Sequence, residues 1–222
     1  MLVGLWVLTT LLWKISESQM NPAITIAFML RQDKHRIHPA LGTLMICAQI
    51  LGAYIGALYM AFTEWEVQAL QPNGGKESPA AIVQEIYGTF IFVIFYKIVS
   101  DEHLYFSKEI TINCLIIAAS YIAARSIVNG ATSQISFGGA CLNPAFAIGI
   151  FCVSVISDPG ASFAWFWIYW FMPVAGALLA VVFYKFIYLK TQLMLDREAD
   201  GQKNETTLHD VKEAVNMEEL ED

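Results

Sequence analysis

The chain has 222 residues, of which 56% are hydrophobic and 15% are charged, and its mean hydropathy is +0.51. These values favour a membrane protein over an ordinary soluble domain. The formal net charge of −7 gives no indication of a nucleic-acid partner, because it arises in the acidic tail at residues 193–222.

The first predicted element is the apolar segment 1–13. A helix of that length reaches about 20 Å at 1.5 Å per residue, whereas the hydrocarbon core of a bilayer is about 30 Å thick. We therefore expect a segment too short to span alone, followed by a polar loop over residues 14–20.

One tripeptide occurs twice, as Asn21-Pro22-Ala23 (the first box) and as Asn143-Pro144-Ala145 (the second box), and an apolar run follows each copy. Asparagine is a preferred helix N-cap, and proline is favoured at the first helical position. Each run predicts a helix of about ten residues, or half the hydrocarbon thickness. The repeat therefore predicts two half-spanning helices that meet at mid-membrane. The alternative is a soluble protein in which both boxes begin ordinary buried helices.

Four further segments are long enough to cross a bilayer, and they cover residues 39–62, 79–100, 110–128 and 161–188. The first of them carries Gly52 and Gly56, whose spacing predicts close helix packing in lipid. Three spans separate the two half-helices, so the second half-helix enters from the opposite face. Lysine and arginine concentrate on the side of loop 14–20, and only Lys76 and Arg125 fall towards the other side. Inverted repeats with broken helices are typical of transport proteins.

The residues after position 188 are polar and acidic, so we predict a transmembrane domain at 1–188 and a separate tail at 189–222. Within the tail, Leu208, Val211 and Val215 recur at helical spacing, which predicts a short amphipathic helix.

These motifs make the chain resemble the aquaporin and glycerol-channel family, the major intrinsic proteins. Besides the two boxes, the family patterns Glu-x-x-x-Thr-Phe and Ala-Gln-x-x-Gly-Ala appear here at residues 85–90 and 48–53. The resemblance covers residues 1 to about 188. It implies an all-α membrane protein built as an aquaporin-like inverted repeat with two half-spanning helices. Since the family has six full spans, it also implies that the first span is missing and that segment 1–13 is a truncated second span.

The resemblance assigns the pore to the two boxes. Each asparagine would cap its helix through the carbonyl oxygen and leave its NH₂ group free to donate into the pore. The narrow selectivity filter would lie at Met1, Gly130, Ala140 and Phe146. The family places an arginine where this chain has Phe146, and a phenyl ring supplies neither hydrogen-bond donors nor a charge that repels cations. We therefore predict a degenerate filter.

Two further residues carry alternatives. Glu85 resembles the family's buried glutamate, which accepts hydrogen bonds from a pore loop, and the alternative is a proton relay. Cys141 precedes the second box by two residues, and it is either a small packing residue or a pore-facing thiol.

Two functions stay open. The first is a passive channel for water or small neutral solutes, and the second is a non-conducting structural subunit of a larger membrane complex. In either case we expect a multi-pass protein of the lipid bilayer that is not an enzyme and needs no cofactor or metal, since the histidines lack metal-ligand spacing. Other membrane subunits would contact residues 1–13 and 207–220, and a homotetramer is the other candidate assembly.

Overall fold

The computed structural model describes residues 1–32, 36–64, 67–72, 78–101, 104, 106–128 and 140–202. Throughout this described part the regular structure is helical, without a strand, and the all-α prediction is confirmed. The helices are α1 (Leu2–Ser16), α2 (Pro22–Met29), α3 (Pro39–Glu64), α4 (Ser78–Val99), α5 (Ile110–Val128), α6 (Pro144–Ser157) and α7 (Pro159–Phe183), followed by the π-helical turn Tyr184–Tyr188.

Three helices in the described ranges are long and apolar enough to cross a bilayer, namely Pro39–Thr63, Pro79–Val99 and Pro159–Gln202. The remaining predicted span, 110–128, is α5, which has 19 residues and is therefore about 28 Å long. Its apolar segment Ile110–Ser126 falls among the shorter helices, so α5 lies at the lower limit of a spanning helix.

The first helix, α1, runs three residues further than predicted. Lys14, Ile15 and Ser16 continue it, and it ends at Glu17, whose left-handed backbone (φ 49°) lets its N–H bond to the carbonyl of Trp13. At 15 residues α1 is about 22 Å long, still shorter than the hydrocarbon core.

Each half-helix was predicted to have about ten residues, which is close to the observed length of the first and too short for the second. The first, α2, has eight residues and ends at Leu30, whereas α6 has 14 residues and continues to Asp158. Asp158 then caps α7, because its carboxylate accepts the N–H of Ala161 at 3.0 Å. Since α6 continues to the residue before Asp158, the apolar run after the second box alone gave too short a helix.

Each half-helix has its own hydrophobic core. Around α2, Ile24 and Phe28 pack with Phe92, Tyr96 and residues of α5 and α7. Around α6, Ala147 and Ile150 pack in a second cluster whose other members come from α3, α4, α7 and the segment 67–70. The two clusters place both half-helices inside the bundle.

Close helix contacts occur at glycines, although not at the pair that the sequence suggested. A Cβ at Gly149 of α6 would lie 2.5 Å from the carbonyl oxygen of Ala53, so α3 and α6 touch backbone to backbone. Gly176 of α7 contacts α4 in the same way, at Ile86 and Thr89. By contrast, no atom in the described structure lies within 4 Å of where a Cβ at Gly52 or Gly56 would be.

The chain divides into two compact units, Met1–Val181 and the residues from Val182 onward. In the second unit the backbone stays helical to Gln202, so the predicted boundary at 188/189 lies within a helix. The predicted amphipathic helix around Leu208, Val211 and Val215 lies outside the described residues.

Candidate functional site: the junction of the two boxes

Both boxes begin helices as predicted. The backbones of Asn21 and Asn143 are extended, and each side chain accepts a hydrogen bond from the N–H two residues on, at Ala23 (2.9 Å) and Ala145 (3.0 Å). The intervening prolines occupy the first helical position, where a missing N–H costs nothing.

The asparagine of each box also bonds to the residue that precedes the other box. The NH₂ group of Asn21 donates to the carbonyl of Leu142 at 2.7 Å, and that of Asn143 donates to the carbonyl of Met20 at 3.0 Å. The prediction of a wholly free NH₂ group is therefore corrected. Since a side-chain amide has two N–H donors, one hydrogen holds the opposite box and one remains.

Glu85 of α4 fixes the loop that enters the second box. Its carboxylate is 1% exposed and accepts the N–H of Cys141 at 2.6 Å and that of Leu142 at 2.7 Å, one on each oxygen. Leu142 adopts a left-handed backbone (φ 55°), and its carbonyl is the group that Asn21 binds. Because backbone donors satisfy both oxygens, this geometry supports a structural role over a proton relay.

Gln49 of α3 lies within the Ala-Gln-x-x-Gly-Ala pattern, which did not predict its role. Its side-chain NH₂ donates to the carbonyl of Gln19 at 2.6 Å and to the hydroxyl of Thr25 at 2.9 Å. The hydroxyl of Tyr96 donates to the carbonyl of Glu17 in the same loop. Gln49 thus holds the loop before the first box, as Glu85 holds the loop before the second.

A cavity of about 260 Å³ lies between the boxes, and we call it the box cavity. Both box asparagines line it, together with the predicted filter residues Met1 and Phe146. The remaining lining residues come from α1, α2, α4, α5 and the loop before the first box, namely Leu5, Thr9, Ser18, Met20, Ile24, Phe92, Tyr96, Ile117, Ala118, Tyr121 and Arg125.

Comparison with known proteins decides the family, because the sequence profile described as major intrinsic protein matches residues 2–184. The chain belongs to the major intrinsic protein family. Members of this family are integral membrane channels and not enzymes, which confirms the membrane location and the non-enzymatic class.

Three curated relatives show how this major intrinsic protein compares in length. Aquaporin-4 of Mus musculus is 28% identical over 220 residues, covering 94% of this chain and 62% of the relative. Aquaporin-4 of Bos taurus is 32% identical over 181 residues, covering 78% and 50%. Probable aquaporin-5 of Gibberella zeae is 25% identical over 221 residues, covering 96% and 36%. The chain therefore spans between about a third and two thirds of the length of these relatives.

Among solved structures, the fold is similar to that of the aquaglyceroporin from Plasmodium falciparum. The TM-score is 0.61 at 21% sequence identity, covering 79% of this chain and 75% of that one. At this identity the likeness concerns the fold alone.

Not every predicted site residue of this major intrinsic protein lines the box cavity. Ala140 is buried (1% exposed) and is not among the lining residues, and Gly130 lies outside the described residues. Pro22, Ala23 and Pro144 are buried inside the helices that they begin. Cys141 is buried too, and its thiol donates to the carbonyl of Asn143 at 3.3 Å, which fits the packing alternative.

A second cavity of about 470 Å³ lies between α1 and α3, and we call it the α1–α3 groove. Ser16, Gln19, Gln49, Gly52 and Ala53 are among its lining residues, and Asn143, Ala145 and Phe146 reach it from the second box. Among the described residues, the side-chain oxygens of Gln19 and Gln49 are buried without a hydrogen-bond partner.

Proposed function

We propose that this chain forms a passive pathway for water or small neutral solutes. The observation that carries the proposal is the box cavity, which both box asparagines line while each keeps one amide hydrogen for a permeant oxygen. The N-termini of α2 and α6 meet at the same place, and their partial positive charges disfavour cations while leaving neutral solutes unaffected.

We further propose that the filter discriminates poorly between water and small polyols. Met1 and Phe146 line the box cavity with apolar side chains, so neither offers a side-chain donor that would select a hydrogen-bonding geometry. The predicted filter position at Ala140 contributes a buried methyl group.

Osmotic swelling of proteoliposomes tests this function. We expect water permeability above that of empty liposomes, together with entry of glycerol. Phe146→Arg should lower glycerol entry by about tenfold, because a guanidinium narrows the cavity and restores selective donors. Phe146→Leu is the matched control, since it keeps the site apolar and should leave glycerol entry near the native value. Fast water flux that excludes glycerol would contradict the filter proposal, and flux no higher than that of empty liposomes would contradict the channel.

The second candidate is a non-conducting structural subunit, and the α1–α3 groove favours it. The groove has a volume of about 470 Å³ and lies open between α1 and α3. Two small residues of α3, Gly52 and Gly56, also face open space. A neighbouring transmembrane helix seated there would cover this surface. The two candidates differ in flux, because a purely structural subunit carries none.

A further inference from the structure

Arg125, near the end of α5, is one of the residues that line the box cavity. It is only 8% exposed, and arginine stays protonated in proteins, so a full positive charge lies inside the membrane domain. Placing a charge at membrane depth is costly, and such residues normally face a partner or a water-filled cavity and mark functional sites. From the sequence, the only prediction for Arg125 was the side of the membrane towards which it lies.

Tyr121, one turn earlier on α5, holds Arg125 in place and is itself fixed by α4 and by the loop before the second box. Its guanidinium lies 5.7 Å from the ring centroid of Tyr121, a cation–π distance. The ring of Tyr121 packs edge-on against Phe92 at 5.1 Å, and its hydroxyl donates to the carbonyl of Cys141 at 3.1 Å. Since Cys141 precedes Asn143 by two residues, these contacts tie the guanidinium to the entrance of the second box.

The box cavity therefore receives its aromatic ring and its positive charge from two different elements. Phe146, directly after the second box, gives the cavity an aromatic ring without charge, while α5 gives it the guanidinium of Arg125. A fixed positive charge in a region of low dielectric acts strongly on any ion that enters. Pores exclude cations by such barriers, whichever helix supplies the charge.

We propose that Arg125 is the residue that makes this pathway reject ions: its charge excludes cations and protons, in place of a charge at position 146. The inference rests on the proposed passive pathway. A purely structural role is the competing explanation, because Arg125 is close enough to Glu85 for their charges to interact. The two explanations differ in which measurement changes when the charge is removed.

Proteoliposomes carrying the full chain separate these explanations. Glycerol entry is followed by light scattering and proton leak by a trapped pH-sensitive dye under a potassium gradient with valinomycin. Cation leak is followed without valinomycin, by a trapped sodium-sensitive dye. Arg125→Met removes the charge at similar length, and Arg125→Lys keeps it. Arg31→Met is the matched control, since Arg31 is also a buried arginine (4% exposed) but does not line the box cavity. The double variant Arg125→Met with Phe146→Arg moves the charge to the position after the second box.

We expect Arg125→Met to raise the leak by about tenfold or more while glycerol entry persists, because the charge barrier is lost and the cavity stays open. Arg125→Lys, Arg31→Met and the double variant should keep the native leak. An Arg125→Met protein that conducts glycerol with an unchanged leak would overturn the proposed role of Arg125 and leave the proposed pathway standing. If Arg125→Met does not fold, a leak unchanged in Arg125→Gln, reconstituted in parallel, would overturn it equally. A native chain without glycerol or water flux would instead overturn the proposed pathway, and this inference with it.

Discussion

At the scale of single residues, the junction of the boxes depends on side chains that hold backbone rather than on side chains that touch a permeant. Glu85 accepts two N–H groups before the second box, and Gln49 donates to the carbonyl of Gln19 before the first. The loop held by Glu85 presents the carbonyl of Leu142 to Asn21. Loss of the contacts of Glu85 or of Gln49 should therefore disturb both boxes, because each asparagine bonds to the loop before the other box.

Glu85→Gln tests this support with minimal change in shape. The variant keeps one acceptor oxygen but turns an NH₂ group towards a backbone N–H, so one buried donor at Cys141 or Leu142 loses its partner, at a cost of about 1–3 kcal/mol. We expect a clearly lower melting temperature for the purified protein in detergent, measured by scanning fluorimetry. The control is Glu109→Gln, which makes the same chemical change at an exposed carboxylate. Equal shifts in the two variants would refute the supporting role of Glu85.

At the scale of helices, the beginnings of the two half-helices were predictable from the sequence, whereas the ends of α1 and α6 were not. An asparagine followed by proline supplies both the N-cap and a first helical residue whose φ angle already suits a helix. Both half-helices therefore begin at the boxes. The end of α1 depends on the left-handed backbone of Glu17, and the apolar segment 1–13 does not predict that conformation. Likewise, Arg125 lines the box cavity only because of how α5 packs, and the spacing of residues in the sequence does not predict such a contact.

The contact between α3 and α6 gives a prediction at this scale. In Gly149→Ala, the new methyl group would lie 2.5 Å from the carbonyl oxygen of Ala53, so one of the two backbones must shift. Overpacking of this kind costs typically about 1–3 kcal/mol, and we expect a matching fall in thermal stability in detergent. Gly56→Ala is the control, because open space surrounds that position on α3, and it should melt at the native temperature or slightly above it. A Gly149→Ala protein as stable as the control would mean that the helices are not in backbone contact.

At the scale of the whole molecule, surface apolarity alone does not identify an interface, because lipid covers the outside of any membrane bundle. The α1–α3 groove is itself mostly apolar, and the side-chain oxygens of Gln19 and Gln49 beside it are already shielded from lipid and from any partner. Next to it, Val3 and Leu11 of α1 are 66% and 68% exposed on a helix too short to span alone. A helix that is exposed and too short to span alone is better covered by another protein helix than by acyl chains, and this favours the predicted partner at residues 1–13.

We therefore expect non-self contacts at α1 when the chain is in its native membrane. A photo-reactive residue placed at Leu11 should cross-link to a different protein, whereas the same group at Phe163 of α7 should label lipid. Phe163 is an equally exposed apolar residue, at 67%, and it does not line the groove, so it controls for exposure. Extraction in mild detergent followed by native mass spectrometry supplies the mass of the assembly. Cross-linking to a foreign protein at Leu11 together with a mass above that of the homotetramer would support a structural partner. A monomer or homotetramer without such cross-links would remove the partner and leave the groove to lipid or to a second copy of this chain.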